Sequence, residues 1–221
     1  MESSRNFVNQ TNKSEELFKW IGLLQDSDKP GSGTPRVITL LASVLEKMIL
    51  RNKEKKEEIT VFHGTRVPTM SIHHYIERIH KYSGCSPSCF VMAFVYIQRY
   101  LQRMEGFTLL TSLNVHRLLI TSVLVAAKFL DDECYNNAYY AKVGGVSKEE
   151  MNRLELTFLF DLDFRLSITR DAFKKYCLML QREGSNGRQM VVPCLSRKVS
   201  TVVGELKSCV SEGTVCSCRA I

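Results

Sequence analysis

The sequence VHRLLITSVLVAAKFL, residues 115–130, is apolar on nearly every side when it is placed on a helix. Small side chains, among them Ala126 and Ala127, stand between the large ones. A helix without a polar face has to be covered by other helices, and small residues let those helices approach closely. The stretch therefore predicts the central helix of a helical domain, with Asn114 as its N-cap.

Helical patterns continue on both sides of this stretch. Before it, apolar residues recur at helical spacing over 72–79, up to a break at Ser83-Gly84, and again over 90–101 behind the start signal Ser86-Pro87. After it, we predict a short helix over 136–142 that Gly144-Gly145 stops. A Ser147-x-x-Glu150 capping box then begins the next helix, and another runs over 169–180.

Two more helices are predicted nearer the N-terminus. Residues 14–24 form a short one, and an amphipathic one begins at Thr34-Pro35, where Thr34 supplies the N-cap and Pro35 the first turn. The same dipeptide also fits a proline-directed phosphorylation site. The best strand candidate, 59–62, is too isolated to pair, so the predicted fold class is all-α.

The length and composition favour one domain with extensions. The chain has 221 residues, 44% of them hydrophobic, which is enough for a buried core without metal or disulfide support. We predict a flexible segment and linker over 1–33, a helical domain over 34–183 and an irregular tail over 184–221. The longest apolar run, 90–97, is far shorter than the about 20 residues that a membrane span needs, and we see no secretory signal. We therefore expect an intracellular protein of the nucleus and/or cytoplasm that does not bind membranes.

Catalytic and metal-binding patterns are missing from the sequence. It has no glycine-rich phosphate loop, and His73 and His74 lack the spacing of a two-histidine metal face. Cys85 and Cys89 have no second pair at zinc-finger distance, and we expect the eight cysteines to be free thiols. We predict no enzyme activity, no cofactor, no metal ion and no small-molecule substrate.

The net charge of +7 comes from 30 basic and 23 acidic residues that are spread along the chain. A nucleic-acid-binding surface needs its basic residues clustered on one face, so no nucleic-acid partner is expected. Two charges do stand out, because Lys128 ends the apolar central stretch and Glu155 lies between two leucines. They fit either a simple ion pair, with a lysine stem that reaches water, or the rim of a partner-binding surface.

Several motifs in order along the chain resemble the cyclin family. Residues 124–132 (LVAAKFLDD) resemble the signature of the cyclin box, 96–101 (YIQRYL) its second-helix motif and 153–156 (RLEL) its fifth-helix motif. The chain resembles the plant U-type or P-type cyclins more closely still. These are relatives of the fungal phosphate-signalling cyclins. The segments that carry this likeness are 85–90 (CSPSCF), 114–121 (NVHRLLIT) and 135–145 (YNNAYYAKVGG).

The resemblance implies a single five-helix cyclin box with flanking helices, an N-terminal helix and a short C-terminal extension. It also implies a regulatory subunit that binds and activates a cyclin-dependent protein kinase in cell-cycle or phosphate signalling. Lys128 and Glu155 match the family's pair that bonds to kinase backbone. The apolar positions that match the clamp on the kinase's mobile helix are Phe129, Leu159, Phe164 and Leu166.

The chain departs from the family pattern at a few positions. Gln98 stands where an aspartate is usual and Ser71 where mitotic-type cyclins carry an arginine, so both members of a buried ion pair are replaced together. Glu77 stands where the mitotic substrate-docking patch has a tryptophan, so docking of Arg-x-Leu substrates is not expected. The alternative function is a cyclin-fold adaptor for transcription or nucleic acid that activates no kinase.

Overall fold

The computed structural model describes residues 13–24, 33–53, 58–104 and 108–185, and within these ranges it contains helices and no β-strand. The helices are α1 (13–21), α2 (Arg36–Asn52), α3 (Ile72–Ser83), α4 (Pro87–Arg103), α5 (Val115–Leu130), α6 (Asn137–Gly144), α7 (Lys148–Asp161) and α8 (Arg170–Ser185). The all-α prediction is confirmed. The first twelve residues, most of the predicted linker (25–32) and the predicted tail from 186 onward lie outside the described residues.

The helix α5 lies at the centre of the domain, as its sequence predicts. It contacts α3, α4, α6 and α7, and every residue from Leu118 to Ala127 is buried. The two hydroxyl side chains in this stretch donate to carbonyls of the helix itself, Thr121 at 2.7 Å and Ser122 at 2.9 Å. Their polarity is therefore satisfied without any partner from a neighbouring helix.

The helices α2 and α8 pack against each other, and both contact α4. The predicted end of the last helix near Leu180 is wrong, because α8 continues to Ser185. The reason is a tertiary contact, since the amine of Lys47 on α2 donates to the backbone carbonyl of Glu183 in the last turn of α8. Leu180 and Glu183 are buried there. Local periodicity does not reveal such a contact.

One predicted helix cap differs from the structure, and a second is confirmed in its position but not in its hydrogen bonds. Thr34 is not the N-cap of α2, because Pro35 occupies that position with an extended backbone and the helix begins at Arg36. Asn114 is the N-cap of α5, but its side chain makes no cap hydrogen bond. It bridges the preceding loop instead, where it accepts from the N–H of Thr111 at 2.9 Å and donates to the carbonyl of Leu109 at 2.6 Å. The Ser147 cap of α7 is confirmed, with its hydroxyl accepting from the N–H of Glu150 at 3.0 Å.

The two substitutions at the usual ion-pair positions are each accommodated locally. Gln98 is buried on α4, and its amide nitrogen lies 3.3 Å from the sulfur of Met48 on α2. Ser71 is the N-cap of α3, where its hydroxyl accepts from the N–H of His74 at 3.3 Å. Neither position leaves a buried charge without a partner, so replacing both residues preserves the packing.

The close packing around α5 leads to a stability prediction. Ala126 and Ala127 have no exposed surface, so Ala126→Leu or Ala127→Leu should force neighbouring side chains apart and cost about 1–3 kcal/mol. A thermal melt should detect this loss, because each kcal/mol moves the midpoint by roughly 2–4 °C in a protein of this size. Leu50→Ala is the control, since Leu50 at the end of α2 is 70% exposed. If both alanines accept leucine with the melting midpoint unchanged, α5 is not tightly packed.

Candidate partner-binding site

The structure brings the two charges singled out in the sequence together. Lys128 lies in the last turn of α5 and Glu155 in the middle of α7, and the Lys128 amine is 2.6 Å from one carboxylate oxygen of Glu155. The lysine side chain is 38% exposed and the glutamate side chain 15%. The ion pair considered from the sequence is therefore present, and it lies at the surface with part of both side chains open to solvent.

A third side chain completes this polar cluster. The amide nitrogen of Asn137, the first residue of α6, donates to the other carboxylate oxygen of Glu155 at 2.6 Å and to the side-chain oxygen of Asn152 at 2.8 Å. Both oxygens of Glu155 are thus bonded, which fixes the plane of the carboxylate. Sequence reasoning missed Asn137, because only the packing of α6 on α7 places it beside Glu155.

Exposed apolar side chains follow the members of the polar cluster along the chain. Phe129 and Leu130 follow Lys128 along the chain, and Leu156 follows Glu155. We call the group the apolar rim; it consists of the exposed Phe129, Leu130, Leu156, Phe160 and Phe164 and the half-buried Leu159 and Leu166. The exposed fractions of Phe160 and Phe164 are 62% and 55%. Large apolar residues that stay exposed at the end of α5, on α7 and in the turn after α7 are typical of a binding site.

The sequence prediction contained four members of the rim and missed Leu130, Leu156 and Phe160. A signal for two of them is present in the sequence. Leu154 and Phe158 form the buried face of α7, so Leu156 and Phe160, two positions further along, have to point away from the core. Large apolar residues spaced four apart on a solvent face are a reason to expect a partner.

The turn after α7 places Phe164 on the rim. The N–H of Asp163 bonds to the carbonyl of Phe160 at 2.9 Å, and the N–H of Phe164 bonds to the carbonyl of Leu159 at 3.0 Å. This is the Schellman pattern, which usually has glycine at its left-handed position. Here Asp163 and Phe164 both adopt positive φ, at 55° and 52°. Such backbone costs about 1–3 kcal/mol per residue, so the surrounding contacts have to hold it in place.

Several contacts hold this turn. The rings of Phe160 and Phe164 meet edge to face with their centroids 5.3 Å apart. The Asp163 carboxylate lies 2.9 Å from the guanidinium of Arg165. From α4, the hydroxyl of Tyr96 donates to the carbonyl of Leu166 at 3.1 Å, and Arg99 donates to the carbonyls of residues 165 and 167. The position of the rim is therefore determined by α4 and α7 together.

Other kinds of site find less support in the described ranges. No group of three or more histidine, cysteine, aspartate or glutamate side chains within them is arranged to hold a metal ion. None of the helices in this part of the chain is long and apolar enough to cross a membrane. A shallow recess near the starts of α3 and α5 is lined by residues such as Glu46, Met70 and His116, and it includes none of the rim.

Comparison with known proteins gives a consistent family assignment. The family model described as Cyclin matches residues 32–166. Cyclin-P3-1 of Oryza sativa subsp. japonica is 50% identical over 183 residues, which cover 80% of this chain and 77% of that protein. Cyclin-U1-1 of Arabidopsis thaliana is 48% identical over 69% of this chain and 75% of its own length. Cyclin-U4-1 of the same plant is 52% identical over 67% and 76%.

Proposed function

Since this chain belongs to the cyclin family and resembles its plant U-type and P-type members, we propose that its apolar rim binds and activates a cyclin-dependent protein kinase. Cyclins are regulatory proteins, and the chain is expected to perform no reaction of its own. We further propose that it acts in the nucleus and/or cytoplasm in cell-cycle or phosphate signalling, with no nucleic acid, membrane or small molecule as a partner.

The observation that carries the proposal is the pairing of an exposed apolar surface with a fixed polar cluster. Protein interfaces concentrate their binding energy in a few aromatic and charged residues at the centre, where the partner excludes water. Phe160 and Phe164 supply the aromatic part, and Lys128 and Glu155 the charged part. The kinase's mobile helix, laid along the rim, would cover apolar side chains that are now exposed.

The ion pair and the proposed interface are compatible with each other. A lysine amine has three N–H donors, and the bond to Glu155 uses one of them. The remaining donors of Lys128 and the free lone pairs of Glu155 can bond to the backbone of the kinase while the pair stays intact. The internal bonds from Lys128 and Asn137 then orient Glu155 before the partner arrives.

Activation would follow from a shift in the kinase's conformational equilibrium. A protein kinase is active when its lysine–glutamate ion pair and its magnesium-binding aspartate are both in place, which depends on the position of the mobile helix. A partner that binds only the inward position of this helix shifts the population toward the active state. The residues of the rim make no bond in the phosphoryl transfer itself.

The test is reconstitution with purified components. The full chain is mixed with individual cyclin-dependent kinases from a plant, and phosphorylation of a Ser-Pro peptide is measured with the kinase alone, the chain alone and the mixture. We expect activity in the mixture with at least one kinase and none with the chain alone. Failure to bind any kinase, together with a shift of labelled DNA in a gel, would favour the adaptor function instead.

A further inference from the structure

Two buried thiols face each other at the start of α4. Cys85 immediately precedes the N-cap residue Ser86, and Cys89 lies in the first helical turn. Side chains just before the N-cap and in the first turn of a helix commonly meet across it. Cys85 is 6% exposed and Cys89 is fully buried, and the two side chains are near enough for each to shift the pKa of the other. Both are free cysteines.

The surroundings of the two sulfurs make them chemically different. The contact with the Cys89 side chain is the main cause that lowers the pKa of the Cys85 thiol, and the hydroxyl of Ser83, 3.0 Å from the Cys85 sulfur, lowers it further against the effect of burial. The same contact and burial raise the pKa of Cys89. Cys85 is thus the sulfur that more readily becomes a thiolate, and the thiolate is the form that oxidants attack.

A carboxylate connects this thiol pair to the end of α5. The Cys89 sulfur donates to one oxygen of Asp131 at 3.3 Å, and Ser86 donates to the same carboxylate through its N–H at 3.0 Å and its hydroxyl at 2.7 Å. Asp131 is the C-cap residue of α5 and follows Phe129 and Leu130 of the apolar rim. A change in the Cys89 thiol therefore changes the hydrogen bonding of Asp131, the residue that directly follows Phe129 and Leu130.

We propose that Cys85 and Cys89 are a modification site, a dithiol that hydrogen peroxide oxidises to a disulfide, and that the disulfide weakens the hold on Asp131 and lowers the affinity of the rim for its kinase. The second half of this inference rests on the proposed function. The first half concerns the chain alone and can be tested without a partner.

The chemistry is a two-step oxidation with balanced atoms. The Cys85 thiolate attacks one peroxide oxygen and the O–O bond breaks, so that the sulfur becomes a sulfenic acid and the other oxygen leaves as water with the thiol's proton. The Cys89 sulfur then attacks the Cys85 sulfur, the S–O bond breaks, and a second water leaves with the Cys89 proton. Two thiols lose two electrons and two protons, and one peroxide becomes two waters.

The consequence for the rim follows from the loss of one donor. The disulfide has no S–H, so Asp131 loses the hydrogen bond from Cys89 and keeps only the two from Ser86. Asp131 is half-buried, and a partly buried carboxylate that loses one of its donors holds the conformation that depended on it less firmly. We expect the end of α5, and with it the positions of Phe129 and Leu130, to become less well fixed.

The first experiment treats the reduced full chain with hydrogen peroxide, blocks the remaining thiols with iodoacetamide and maps the peptides by mass spectrometry. We expect a peptide two hydrogen masses lighter that joins Cys85 to Cys89. In Cys89→Ser, dimedone should trap a sulfenic acid on Cys85, and Cys134→Ser, which removes an exposed thiol, should leave the disulfide unchanged. If Cys85 and Cys89 both remain alkylated while Cys134 is oxidised, the dithiol assignment is overturned.

The second experiment measures the affinity of the reduced and the oxidised chain for a kinase that the reduced chain binds. We expect oxidation to weaken binding roughly threefold or more, as the loss of one hydrogen bond implies, with recovery after dithiothreitol and no change in Cys85→Ser. A disulfide that leaves the affinity unchanged overturns the coupling to the rim. Absence of any kinase binding by the reduced chain contradicts the proposed function and, with it, the coupling, but not the dithiol.

Discussion

Replacing Phe160 with alanine is expected to weaken kinase binding by about 30-fold or more, the loss that defines an aromatic hot spot of 2 kcal/mol or above. Phe160 is 62% exposed in the free chain, so most of its ring is available to a partner. The measurement is a titration of the kinase with each variant by calorimetry. Ile59→Ala is the matched control, because Ile59 is 87% exposed and lies outside the rim.

A second variant separates binding from folding at the same surface. Phe164→Gly removes the ring but relieves the positive φ at this residue, a strain worth about 1–3 kcal/mol, against the loss of an aromatic contact worth about 0.5–1.5 kcal/mol. We expect an unchanged or higher melting temperature together with much weaker kinase binding. If Phe160→Ala and Phe164→Gly both bind the kinase as tightly as the native chain, the rim is not the interface.

Lys128→Ala and Glu155→Ala are each expected to weaken kinase binding by about tenfold or more. Each removes a charge-assisted hydrogen bond to the kinase, worth about 1.5–3 kcal/mol, and also frees the remaining partner from its fixed position. Because the pair is partly exposed, its loss should change the free energy of unfolding by no more than about 1 kcal/mol. Titration with the kinase and a thermal melt of the same samples would measure both effects.

The control for this pair is another ion pair between the same two helices. The guanidinium of Arg117 at the start of α5 lies 2.7 Å from the carboxylate of Glu150 at the start of α7. Neither residue of this pair belongs to the rim. Glu150→Gln should lower the stability slightly and leave kinase binding unchanged. If Lys128→Ala and Glu155→Ala bind the kinase with the same affinity as the native chain, the Lys128–Glu155 pair contributes to the fold and not to kinase binding.

The helical fold and the central position of α5 could be predicted because they follow from the amino-acid composition of the segments themselves. They do not depend on how the neighbouring helices are arranged. Residues 115–130 have almost no polar side chain to present to water, so burial on all sides was the one outcome available. The starts of α4, α6 and α7 were likewise predictable, since Ser86-Pro87, Asn136 and Ser147 determine the local backbone within a few residues.

The features that sequence reasoning missed depend on distant contacts. Nothing near Asn137 indicates that it bonds to Glu155, eighteen residues away, and the extension of α8 depends on Lys47, more than one hundred residues away. Thr34 was misjudged by one position, because Pro35 is the N-cap, whereas Asn114 is the N-cap as predicted and only the partners of its side chain could not be predicted. The role of Lys128, Glu155 and the predicted clamp residues in kinase binding remains a prediction.

The left-handed turn at Asp163 and Phe164 has a consequence for the speed and cost of association. The hydroxyl of Tyr96 on α4 and the backbone hydrogen bonds of the turn already fix the backbone that carries the Phe164 ring, so little further ordering of this segment is required on binding. A partner would meet a rigid template, and most of the conformational entropy lost in the complex would come from the kinase's own mobile helix. Association should then be limited by how often that helix visits its inward position, and hardly by rearrangement of this chain.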